Sequence, residues 1–156
     1  MRTSTARSPP SGGNVDRVVL DTVVFVRALI NPHSRSGRLV SDYAGEYTLL
    51  VSKPTVQEFL EVVQRPELKR KFRSLGRVNI RQVIDLVTQA QFVEIAEVPP
   101  VVRDPADDII VATAVAGQAD FIVSEDKDLL DLKKVSSIAI IDTQAFLARL
   151  EESGVK

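Results

Sequence analysis

Asp21, Glu58, the pair Asp107 and Asp108, and Asp126 with Asp128 stand at four places where ordinary structure gives an acid little to do. Carboxylates that share one crevice repel each other by roughly several kcal/mol at intermediate dielectric, and they call for a cation. A ligand set made only of oxygen selects Mg²⁺ or Mn²⁺ over zinc. Taken singly, each acid also has a plain structural role. Asp21 can cap a helix, and Glu58 can sit on a solvated helix face. Asp107 or Asp108 can answer a helix macrodipole, and Asp126 can serve a turn. The acids become one site only if the fold sets the first and fourth strands side by side.

The elements that must carry them are legible in the pattern. Val18, Val19 and Leu20 form an unbroken apolar run, as a strand buried on both faces requires. The run ends in Asp21, which places that acid at the strand's carboxyl end, the edge where open α/β sheets bind ligands. Thr22 follows, and a helix spans Val24 to Ile30. Asn31-Pro32 breaks the pattern, and Ser34, Ser36 and Gly37 read as a loop. Leu39, Val40, Tyr43 and Ala44 predict a short second helix closed by Gly45. A second strand covers Tyr47 to Val51. Val56, Phe59, Leu60 and Val63 give a third helix its apolar stripe, capped by Ser52 and stopped near Arg65-Pro66. Glu58 lies about 200° around from Val56, off that stripe.

Residues 67–81 are strongly basic, with Lys69, Arg70, Lys71 and Arg73 at their centre. Val83, Ile84, Val87 and Ala90 face the next helix inward, Phe92 to Ile95 predicts an edge strand, and Pro99-Pro100 ends the unit. Residues 109–117 could begin as a strand, but their alanines, the aspartates ahead and Gly117 behind favour a buried helix. Phe121 to Val123 and Ile138 to Ile141 are further strands, and a last helix runs from Thr143 to Leu150. Alternating strands and helices imply a doubly wound parallel sheet with helices on both faces, a three-layer α/β fold.

Composition bounds the rest. The chain has 156 residues, enough for one domain with a core, and a formal net charge of −1, so any nucleic-acid surface is local. It contains no cysteine, which excludes disulfides and thiolate chemistry. No apolar run reaches the ~20 residues of a membrane span. The expectation is a cytoplasmic single domain over residues 17–151, with a disordered tail at 1–16 and a short one at 152–156. The one histidine, His33, lies in a Pro/Ser loop and reads as a surface residue.

VVLDT on the first strand, EFLEVVQRP on the third helix, DPADDIIVATA on the buried helix and FIVSEDKDLL after the fourth strand together resemble the PIN-domain nucleases. More narrowly, they are similar to the VapC-like toxin components of bacterial toxin–antitoxin systems. The resemblance covers about residues 17–145. It implies five parallel strands in the order 3-2-1-4-5, with Asp21 and Asp126 flanking the switch point. By motif position the family's catalytic acids fall on Asp21, Glu58, Asp107 and Asp126, with Asp21, Asp107 and Asp126 as ligands of Mg²⁺ or Mn²⁺. Glu58 would hold a water or act as base. Asp108, Asp128, Ser124 and Thr22 are secondary candidates. The implied activity is hydrolysis of RNA, with Lys69, Arg70, Lys71 and Arg73 contacting phosphates. The implied partners are an antitoxin protein and further copies of the chain. The alternative is a PIN fold that binds RNA or protein with little or no hydrolysis.

One departure stands out: where the family has Asn or Ser two places after the first acid, this chain has Val23. The same valine counts against a haloacid-dehalogenase-type phosphatase, which needs a second aspartate there. Glu97 fits poorly as a receiver domain's phosphorylation site, and DTVVF lacks the glycine-rich turn of a dinucleotide-binding domain.

Overall fold

The computed structural model describes residues 15–73, 77–95 and 105–153. Most of the expected N-terminal tail, Pro99-Pro100 and the last three residues lie outside these. The side chains of Lys69, Lys71, Arg73 and Val83 also lie outside them.

The elements in chain order are β1 (Arg17–Leu20), α1 (Thr22–Ile30), α2 (Arg35–Val40), β2 (Thr48–Val51), α3 (Lys53–Val63), α4 (Pro66–Arg73) and α5 (Arg77–Thr88). They continue with β3 (Gln91–Phe92), α6 (Pro105–Ala116), β4 (Phe121–Val123), α7 (Lys127–Leu132), β5 (Lys134–Val135), β6 (Ile138–Ile141) and α8 (Thr143–Ser153). The six strands form one sheet in the order β3-β2-β1-β4-β6-β5. Every pairing is parallel except β5 with β6. The five expected strands keep the expected order, and β5 is an added edge strand. Two residues are too few to leave a periodic signal, so β5 was not legible.

Burial shows why β1 is apolar from Val18 to Leu20. Val18 and Leu20 face one core with Phe25, Leu39 and Phe146. Val19 faces the other, with Val111, Ile122 and Leu129. Successive side chains point to opposite sides of a strand, so both faces of β1 must be apolar. The buried helix over 109–117 is α6, and its Ile110, Val111 and Ala114 pack in the second core.

Several local expectations shift. Ser34, Ser36 and Gly37 do not form a loop: the Ser34 hydroxyl accepts the Gly37 N–H and starts α2 there. The helix then ends at Val40, and Tyr43 and Ala44 lie in turns that reach Gly45 at φ 93°. Gly37 has no alternative residue, because a Cβ there would stand 2.2 Å from the Pro32 carbonyl oxygen. The β3 strand begins at Gln91 rather than Phe92, and Val93 extends its ladder by donating to the Val51 carbonyl. On α5 Leu86 is buried and the expected Val87 packs partly buried against the same core, as does Ala90 just beyond the helix, whereas Ile84 is 54% exposed. No described helix is long and apolar enough to cross a membrane.

Candidate active site

The site forms where β1 and β4 lie adjacent. Their pairing, Leu20 with Val123, runs one step further as the Asp21 N–H donates to the Val123 carbonyl. Asp21 is therefore fixed at the sheet's carboxyl edge by the ladder itself. It precedes α1 in extended conformation, yet its side chain makes no capping hydrogen bond. The side-chain hydrogen bond it does make is to a residue beyond β4.

Ser124 takes it up. This fully buried hydroxyl donates to Asp21 Oδ2 at 2.6 Å and accepts the Asp126 backbone N–H at 2.9 Å. Asp126 caps α7: its Oδ1 accepts the Asp128 N–H at 2.8 Å, which leaves the second oxygen for another ligand. The third acid, Asp107, comes from the first turn of α6 and is buried. One carboxylate oxygen from each of Asp21, Asp107 and Asp126 lies within 4.8 Å of the others. Asp108, also buried, and Asp128, half-buried, are not in this group.

Unit charges about 4 Å apart repel by ~4 kcal/mol at an effective dielectric near 20. That is too much for three ionised carboxylates to tolerate without relief. One form of relief is visible in Asp21. Burial pushes its carboxyl above the usual aspartate range and Asp126 adds to the rise, while Ser124 and the backbone N–H groups of Val23 and Thr22 oppose it. The other form is a cation. Mg²⁺–oxygen bonds of ~2.0–2.1 Å set two ligands of one ion about 2.9 Å apart in cis positions and about 4.2 Å apart in trans, so three oxygens within 4.8 Å of one another draw closer together to close on a single ion. The oxygen-only donor set fits Mg²⁺ or Mn²⁺.

A cleft of about 550 Å³ opens from this cluster. Asp21, Asp107 and Asp126 line it together with Glu58 of α3 and Glu67 of α4. Thr22, which is buried, and Val23, which is 40% exposed, also line it. Of the basic residues, Arg70 is exposed on α4, but it is not among the residues lining the cleft.

Two features escape a reading of motifs. Arg27 and Arg65 line the cleft, and nothing in their spacing sets them apart from surface arginines. Deep in the second core, the Ser52 and Thr113 hydroxyls lie 2.8 Å apart, both fully buried. Thr113 also donates to the Ile109 carbonyl, so Ser52 must be the donor in the pair. That bond ties the start of α3, which carries Glu58, to α6, which carries Asp107. A hydroxyl alone in the run IIVATAVAG was the available signal, since a buried hydroxyl needs a partner.

The family comparison agrees with this geometry. The PIN domain model matches residues 17–128. Among solved structures, the fold resembles VapBC2 from Rickettsia felis bound to a DNA fragment from their promoter. The TM-score is 0.53 at 14% identity, over 81% of this chain and 98% of that one. No curated protein matches the chain. With its family model spanning β1 through the start of α7, and the acids gathered at the edge between β1 and β4, this chain belongs to the PIN-domain family.

Proposed function

We propose that this protein is a metal-dependent endoribonuclease of the cytoplasm and the toxin half of a toxin–antitoxin pair. The observation that carries the reading is the trio Asp21, Asp107 and Asp126, with oxygens within 4.8 Å at the sheet edge of a PIN fold. These residues would hold one or two Mg²⁺ or Mn²⁺ ions. A bound ion supplies a water of lowered pKa and positive charge against the scissile phosphate. Ser124 holds the Asp21 carboxylate in place, and the α7 cap fixes that of Asp126. Glu58, which lines the same cleft, would orient the attacking water or take its proton. Arg70, which does not line the cleft, would add phosphate contacts, as would Lys69, Lys71 and Arg73 of the same helix.

The neighbour's VapBC composition supports a protein partner. So does an apolar groove of about 120 Å³ between α3 and α5, where Leu60 and Ile84 stand half-exposed. An amphipathic antitoxin helix fits such a groove, and further copies of the chain are the other expected partner. Val23 favours a second reading, a PIN fold that binds RNA or protein with little hydrolysis, because valine offers the site no hydrogen bond. Titration with Mn²⁺ decides first: the wild type should bind it and Asp21→Asn should not. Equal binding by both proteins would remove the metal reading.

A further inference from the structure

Two arginines stand in the walls of the acidic cleft, and ion binding gives them no task. Arg27 is on α1, one turn beyond Val23. Arg65 follows α3 on the side that carries Glu58 and Val62, the spacing i, i+4, i+7. At ~1.5 Å per residue each lies roughly 9–10 Å along its helix from the nearest acid of the site. Neither is locked in place. The Arg27 side chain is 58% exposed and meets Glu125 only at 4.0 Å. Glu125 Oε2 already accepts both the N–H and the hydroxyl of Thr143. Arg65 is exposed and makes no ion pair among the described residues. The same cleft is lined by the apolar Val23, Val26, Ile30, Val62 and Leu68 and by Glu67.

We propose that Arg27 and Arg65 grip the phosphates that flank the scissile one, so that a single RNA strand runs along the α1–α3 cleft. This rests on the ribonuclease reading and deepens it. A cation neutralises the floor at the reacting phosphate alone, and the neighbouring phosphates still meet an acidic cleft. Fixed positive charge on both walls offsets that repulsion where it is felt. The guanidinium fork matches phosphate oxygens in pairs, which a lysine cannot do. The valines of the lining give riboses and bases an apolar bed. Five acids, Glu67 among them, and two arginines line the cleft, so charge complementarity favours a polyanion over a basic peptide once two divalent ions fill the acid cluster and turn the balance positive.

The test is the salt dependence of binding to a fluorescein-labelled single-stranded oligoribonucleotide, read by anisotropy with Ca²⁺ in place of Mg²⁺. Arg27→Gln and Arg65→Gln should each flatten the log–log slope by about 0.7, and the double variant by about twice that. Arg27→Lys and Arg65→Lys should keep the wild-type slope. A double variant with the wild-type slope overturns the assignment. So does one that keeps its RNA affinity while losing a co-purifying protein, which would give the walls to that partner. A wild type that binds the strand with this slope pattern, but never cuts it with Mg²⁺ or Mn²⁺, removes the nuclease reading and leaves the arginine contacts standing.

Discussion

Ser124 Oγ lies 2.6 Å from Asp21 Oδ2 and, on its other side, accepts the Asp126 N–H at 2.9 Å. One buried hydroxyl therefore positions two of the three clustered acids. Such outer partners tune a metal site by roughly 10–100-fold. Ser124→Ala should weaken Mn²⁺ binding by about that factor, and Ser124→Thr should retain most of it. Calorimetric titration of the folded variants checks this; an unchanged Mn²⁺ affinity in Ser124→Ala would show that the hydroxyl is structural only.

The raised Asp21 pKa fixes the sign of a pH effect. A carboxyl that holds its proton more tightly folded than unfolded destabilises the native state as pH rises through that window. The window begins near the ordinary value of 3.8 and ends at the higher folded value. Metal-free Asp21→Asn should therefore melt above wild type at neutral pH, and the gain should vanish as pH falls below 3.8. Melting curves across that range read it directly, and a variant less stable than wild type at neutral pH would contradict it.

The Ser52–Thr113 bond joins the helices that carry Glu58 and Asp107. Thr113→Val keeps the shape but leaves the Ser52 hydroxyl without its acceptor, at a cost of about 1–3 kcal/mol. Ser52→Ala in the same protein should cost much less than the sum of the single changes, a coupling of roughly 0.5–3 kcal/mol. Urea denaturation of the four proteins measures it, and additive effects would argue against the bond.

Much of this was legible beforehand because it rests on short-range pattern. The apolar run ending at Asp21 fixed β1, its edge position and the acid at its tip. The alanines of 109–117 with aspartates ahead gave α6, and so placed Asp107 in its first turn. What the pattern could not carry was set by contacts between distant residues. The α2 start depends on Gly37 fitting against Pro32. The strand β5 exists only through its pairing with β6. Which acids meet is likewise tertiary: Asp107 and Asp108 are neighbours with the same chemistry, and only the rotation of α6 sends one of them into the cluster.

Val23 lines the cleft at 40% exposure, so a polar side chain fits there at little cost in packing, about 0.5 kcal/mol. Val23→Asn should raise Mn²⁺ affinity or turnover with a nearly unchanged melting temperature. Cleavage rate against Mn²⁺ concentration for both proteins decides it, and identical curves would make position 23 silent.

The most direct measurement is cleavage of single-stranded RNA by the purified protein with Mg²⁺ or Mn²⁺, set beside Asp21→Asn and an EDTA control. The account predicts internal cuts by the wild type, loss of cutting in EDTA, and loss in Asp21→Asn while that variant stays folded. Cleavage that persists in both EDTA and Asp21→Asn would contradict it.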